Sequence, residues 1–194
     1  MWYEISTAEI APRQPLDSEL FNKIRANLQI GAGCLNSPKI IPNGSFEFTT
    51  GVVPKLWETS AVGNGAATIS TGAHGANSLK LTKTTGSTSG VAVYTEDYIP
   101  VGSTSISIHG YIWSTGATST AINGGVVVRT FTGAYVAIST ISTLHSSWSS
   151  LVTTYTMTFD ITSAARFIKV GCVLGTNATV AGSLLFDGLY IVNT

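Results

Sequence analysis

From about Lys39 to the C-terminus, apolar and polar residues alternate with period two, in short runs separated by turn-forming segments. No other feature limits the fold as much, because side chains alternate faces along a strand but recur every 3.6 residues on a helix. Ten runs stand out: SFEF, AATIS, NSLKLTK, VAVYTEDYIPV, TSISIHGYIWS, GGVVVRTF, AYVAIST, SLVTTYTMTF, ARFIKVGCVL and GSLLFDGLYIV. The intervening GNGA, GAHGAN, TGSTSG and SAA have the composition of hairpin and crossover loops rather than domain linkers. With no helical period among the runs and no fixed repeat, the expectation is an all-β, antiparallel β-sandwich or jelly roll spanning 39–194.

Residues 1–38 have a different pattern. PLDSELFNKIRANLQ predicts the one substantial helix: Asp17 is a good N-cap, Leu16 precedes it as a staple for Phe21, and Glu19 suits the positive end of the dipole. Leu20, Phe21, Ile24 and Leu28 form one apolar stripe, which needs a cover because an isolated helix of this length is marginal in water. Two readings compete. In one, 1–38 is an assembly arm, with Trp2 and Tyr3 as further anchors beside the stripe; in the other, the helix caps an open end of its own sandwich. GAGCLNSP is the linker that follows, closed by Pro38.

Only 10% of the residues are charged and the formal net charge is zero. Neutrality leaves no electrostatic footprint for nucleic acid or an anionic membrane. Ser, Thr, Asn and Gly must cover the surface, as on extracellular and virion β-proteins. The apolar runs are far shorter than the roughly 20 residues of a membrane helix. Glu4 and Glu9 stand where a signal peptide would be basic and then apolar, so export by that route is not expected. Cys172 shares strand parity with Ile168 and Val170 and is expected to be a small buried hydrophobe.

Three parts of the sequence resemble the galactose-binding-like jelly rolls used as carbohydrate-binding modules: NGSFE with PKLWE, then GANSLKLTK, then the succession WSSLVTTYTMTF, ARFIKVGCVLG and GSLLFDGLYIV. The likeness covers about Pro42 to Val192. It implies a structural calcium joining the first and last strands, with the Glu of FE at Glu47 and the Asp of FD at Asp187. A hard cation needs six to eight oxygens, which two carboxylates plus backbone carbonyls would supply. A second acid is frequent in the family after Phe-Asp, and here Gly188 stands there. The competing reading makes Glu47 a solvated strand-end residue and Asp187 a hydrogen-bond acceptor.

In TSISIHGYIWS, alternation puts Ile106, Ile108 and Ile112 on one face and His109, Tyr111 and Trp113 on the other. The three rings would stack on a surface glycan while Arg129, from a neighbouring strand, donates to its hydroxyls. The alternative is that Trp113 is only packing. Catalysis is not expected: His74, His109 and His145 lack a nucleophile context, GSTSG has Thr88 where an elbow serine belongs, and no HExxH or clustered metal ligands occur.

EIAPRQPLDSELFNKIRANLQ resembles leader segments of tailed-bacteriophage fibre and appendage proteins. That likeness implies a virion location, a homo-oligomer, and other virion structural proteins as partners of the arm. The chain is therefore expected to be a head fibre, decoration or tail-associated fibre protein. The alternative is a module that simply attaches to polysaccharide.

Overall fold

The computed structural model describes residues 39–51, 53–60, 65–83, 90–115, 123–145, 148–175 and 181–193. The expected helix and the arm residues Trp2, Tyr3, Leu20, Phe21, Ile24 and Leu28 lie outside these. Fourteen strands follow in order: β1 (Lys39–Ile40), β2 (Thr49–Thr50), β3 (Val53–Pro54), β4 (Trp57–Thr59), β5 (Gly65–Thr71), β6 (Asn77–Lys83), β7 (Val91–Thr95), β8 (Ile99–Pro100), β9 (Ser105–Thr115), β10 (Gly124–Phe131), β11 (Ala137–His145), β12 (Thr153–Asp160), β13 (Phe167–Leu174) and β14 (Gly182–Asn193).

Two large antiparallel sheets result, beside a separate two-stranded pair of β2 and β3. The back sheet runs β12-β9-β14-β6-β5, with β1 pairing the second half of β14; the front sheet runs β11-β10-β13-β7-β4, with β8 pairing the start of β13. The chain changes sheet between β4 and β5, β6 and β7, β8 and β9, β9 and β10, and at every step from β11 to β14. Only the β5-β6 and β10-β11 hairpins keep long consecutive strands together. This is a jelly-roll sandwich, as the alternating pattern predicts.

The inward faces build one core. Leu79, Leu81, Ile106, Ile108, Ile112, Leu184, Phe186 and Ile191 from the back sheet meet Val91, Val93, Val126, Val128, Ile168, Val170 and Cys172 from the front. Cys172 is buried, as its strand parity implies, and burial pushes its thiol pKa up. Trp57 lies in the same core, and its indole N–H donates to the carbonyls of Pro42 (3.0 Å) and Asn43 (3.2 Å). Those bonds satisfy the one polar group that such a ring brings inside.

Two expected strands differ. SFEF is a tight turn instead: Gly44 N–H donates to Ile41 and Phe46 N–H to Asn43, each at 3.0 Å, with Phe46 at φ 57°. Burial explains it, because the turn delivers the Phe46 ring into the core at 5.1 Å from Trp57. VAVYTEDYIPV breaks at Glu96–Tyr98, so that β7 and β8 pair successive parts of one β13 edge.

Candidate functional site

The outer face of the front sheet follows from the parity of its strands. With Val126, Val128, Ile168, Val170, Val91 and Val93 inward, Val127, Arg129, Phe131, Phe167, Lys169, Gly171 and Tyr94 point outward. Register sets Arg129 opposite Lys169, and Phe131 opposite Phe167. Arg129 lies over the Tyr94 ring, 3.9 Å from its centroid, and a side chain on Gly171 would run into that ring. Lys169 pairs with Glu58 at 2.8 Å and also sits 5.0 Å from the Tyr98 ring.

At one end of this face four rings converge. Tyr98, from the break between β7 and β8, meets Phe131 edge-on at 4.9 Å and Tyr135 at 4.7 Å; Tyr135 stacks on Phe167 at 4.8 Å and 23°. Tyr98 remains 37% exposed and Tyr135 53% exposed, so both rings are open to a ligand. They line an open groove of about 560 Å³ with Pro42, Asp97, Ile99, Pro100 and Phe167. Tyr135 is placed by the β10-β11 turn. Thr132 N–H donates to Val136, Tyr135 N–H donates to Thr132, and Thr132 Oγ1 accepts from Ala134 and Val136. Tyr135 itself takes φ 61°, a left-handed conformation that ordinarily favours glycine or asparagine. Alternation predicts Tyr135 within the strand AYVAIST, whereas β11 starts only at Ala137 and Tyr135 stands in the turn before it. Tyr98 and Phe167 are brought to that ring only by the tertiary fold.

The expected platform is divided. Ile106, Ile108 and Ile112 do point into the core and His109, Tyr111 and Trp113 outward, but on the back sheet. Arg129 lies on the outer face of the front sheet, the opposite side of the sandwich, and does not join them. The reason is topological: β9 and β10 are consecutive in sequence but belong to different sheets. Trp113 is 7% exposed, beside a buried Leu185 in register, and is packing rather than a free ring. His109 stacks on Tyr190 at 5.3 Å and its Nδ1 lies 3.0 Å from Thr156 Oγ1; Tyr111 stacks on His74 at 6.3 Å.

Glu47 and Asp187 converge on one loop, Gly72–Asn77, between β5 and β6. Asp187 Oδ2 accepts the N–H groups of Ala73 (2.7 Å) and His74 (2.6 Å), while Glu47 Oε1 accepts that of Asn77 (3.1 Å). Gly75, at φ 103°, lies against the Glu47 carboxylate, which a side chain there would push aside. Asp187 is completely buried and its Oδ1 has no hydrogen-bond partner. Burial raises its pKa, opposed by the N–H groups of His74, Ala73 and Gly188 and by the His74 charge. Two carboxylates with one buried oxygen left over fit a hard cation, and the other ligands would be backbone carbonyls, since the described residues contain no cluster of three His, Cys, Asp or Glu. Gly188 adopts φ 57° at the β14 bulge, a conformation that glycine takes without a Cβ penalty.

No protein-family model matches the sequence, and no curated protein matches it. Solved structures match the fold. An arabinose-bound MgGH51 α-L-arabinofuranosidase matches at TM-score 0.59 and 17% identity, over 82% of this chain and 27% of that one. The enzymatically active domain of bacteriophage CBA120 tailspike protein 4 matches at TM-score 0.57 and 10% identity, over 78% and 21%. The chain thus spans about a quarter of the length of each of these two proteins. A family 11 carbohydrate-binding module from Clostridium thermocellum, in complex with a β-1,3-1,4-mixed-linked tetrasaccharide, matches at TM-score 0.55 and 12% identity, over 81% of this chain and 96% of the module. The sandwich therefore has the jelly-roll fold of carbohydrate-binding modules.

Proposed function

We propose that the sandwich is a non-catalytic glycan-binding module whose ligand lies on the outer face of the front sheet, against Tyr98, Tyr135 and Phe167. One observation carries this: the open groove of about 560 Å³ is bordered by two exposed tyrosine rings. Sugar rings present apolar C–H faces that stack on such surfaces, and the tyrosine hydroxyls, Asp97, Lys169 and Arg129 offer polar partners along the same face. The fold shared with carbohydrate-binding modules supports the reading. A polysaccharide array followed by titration calorimetry tests it: Tyr98→Ala and Tyr135→Gly are each expected to weaken binding about two- to tenfold, the loss of roughly one stacking contact. Unchanged affinity in both variants would sink the site. A His109→Ala/Tyr111→Ala variant checks the back-sheet rings separately.

Glu47 and Asp187 are proposed to hold a structural calcium that fixes the β5-β6 loop to β14, supported by the unpartnered buried Oδ1. A second reading, a fibre or decoration protein of a tailed-bacteriophage virion anchored through residues 1–38, draws on the likeness in fold to the CBA120 tailspike domain and on the leader-like sequence. The two readings are compatible, since a virion appendage can display a glycan-binding sandwich. Mass spectrometry of purified virions would find the chain as a component if this reading holds, and its absence would remove it.

A further inference from the structure

We propose that β11 is a self-pairing edge through which two copies of this chain join their front sheets. Strand β11 ends the front sheet, and among the described residues no strand pairs with its outer edge. An edge of this length is ordinarily blunted by lysine, proline or an inward charge. Here AISTISTLH has none of these: no lysine, arginine, carboxylate or proline, and exposed side chains along nearly its whole length. Its two large apolar residues at either end, Ile138 and Leu144, are 38% and 39% exposed.

The sequence of the edge identifies its partner. If two β11 strands pair antiparallel about a two-fold axis at Ile141, Thr140 faces Ser142, Ser139 faces Thr143, Ile138 faces Leu144, and Ile141 meets its own copy. From Ile138 to Leu144 each step then sets apolar against apolar or hydroxyl against hydroxyl, the pairings that stabilise neighbouring strands, and only the terminal Ala137 and His145 are unmatched. Moving the axis by one residue to Ser142 would put Thr140 opposite Leu144 and Ile141 opposite Thr143, a mismatch on both faces. Electrostatics agrees, because an uncharged strand approaching its copy meets no like-charge repulsion. The β-bulge between Thr130 and Phe131 marks the end of the regular ladder at the Ile138 side, so the paired segment is short. An interface of one strand pair lies below about 1,200 Å², the range of weak and transient association. The dimer is accordingly concentration-dependent. A two-fold axis normal to the sheet leaves both outer faces on the same side, so that, if the glycan reading holds, the two Tyr135 clusters present a bivalent surface.

Sedimentation velocity of the full chain without any glycan tests this, with T140K/S142K and T140K/S142E as the variants. Both alter exposed positions, and circular dichroism checks that they fold. In the proposed register T140K/S142K sets lysine against lysine at two places and is expected to raise the dimer Kd roughly tenfold, whereas T140K/S142E sets lysine against glutamate and restores dimerisation. A wild-type chain that stays monomeric up to about 200 μM, a concentration ample for weak interfaces, would overturn the proposal. So would equal weakening in both variants, or association that neither variant changes.

Discussion

Replacing Tyr135 separates backbone strain from ring contacts. At φ 61° a residue with a Cβ pays about 1–2 kcal/mol that glycine avoids. The ring recovers part of this by stacking at 4.8 Å on Phe167 and 4.7 Å on Tyr98, contacts worth about 0.5–1.5 kcal/mol each when well buried and less at this exposure. Tyr135→Ala removes the contacts and keeps the strain, so the fold loses about 1–2 kcal/mol. Tyr135→Gly removes both, and glycine's extra freedom in the unfolded chain takes back about 0.4–1 kcal/mol. The glycine variant is therefore expected to be more stable than the alanine variant by roughly 0.5–1 kcal/mol, the reverse of the usual order in strands, or about 1–4 °C in Tm for a domain of this size. Urea denaturation of the two variants side by side measures it. Equal stability, or a more stable alanine variant, would refute the argument that this turn is strained by its side chain.

If calcium binds at Glu47 and Asp187, saturation to about 100 times Kd stabilises by about 2.7 kcal/mol, and chelation should lower Tm by about 5–11 °C in the wild type but not in Asp187→Ala. Trp113→Ala is expected to cost about 3 kcal/mol or more in stability, as for other buried tryptophans, and the cost would be seen in denaturation without any glycan present. Lys83 is buried, donates to the Gly175 carbonyl at 3.2 Å, and has its pKa lowered by desolvation. Because the folded pKa lies below the unfolded one, the fold disfavours the charged lysine; that penalty is complete at neutral pH and is relieved as pH rises through the folded pKa towards the unfolded one. The stability of the wild type relative to Lys83→Met should thus increase with alkaline pH, and a difference independent of pH from 7 to about 10.5 would contradict it.

Period-two alternation is a local property, and the sequence alone established what depends on it: the jelly-roll class, the inward Ile106, Ile108 and Ile112, the outward His109 and Tyr111, and the buried Cys172. It likewise brought Glu47 and Asp187 to attention by resemblance, and both prove to hold one loop. Alternation says which face a residue takes, not which strand lies beside it. Neighbours are chosen by backbone pairing between segments far apart in the chain, and here most successive strands change sheet. That choice separated Arg129 from His109, covered Trp113, and turned SFEF into a bend because the core needed Phe46 beside Trp57. It also assembled Tyr98, Phe131, Tyr135 and Phe167 from three separate stretches of sequence, a cluster that exists only once β8, β10 and β13 stand side by side.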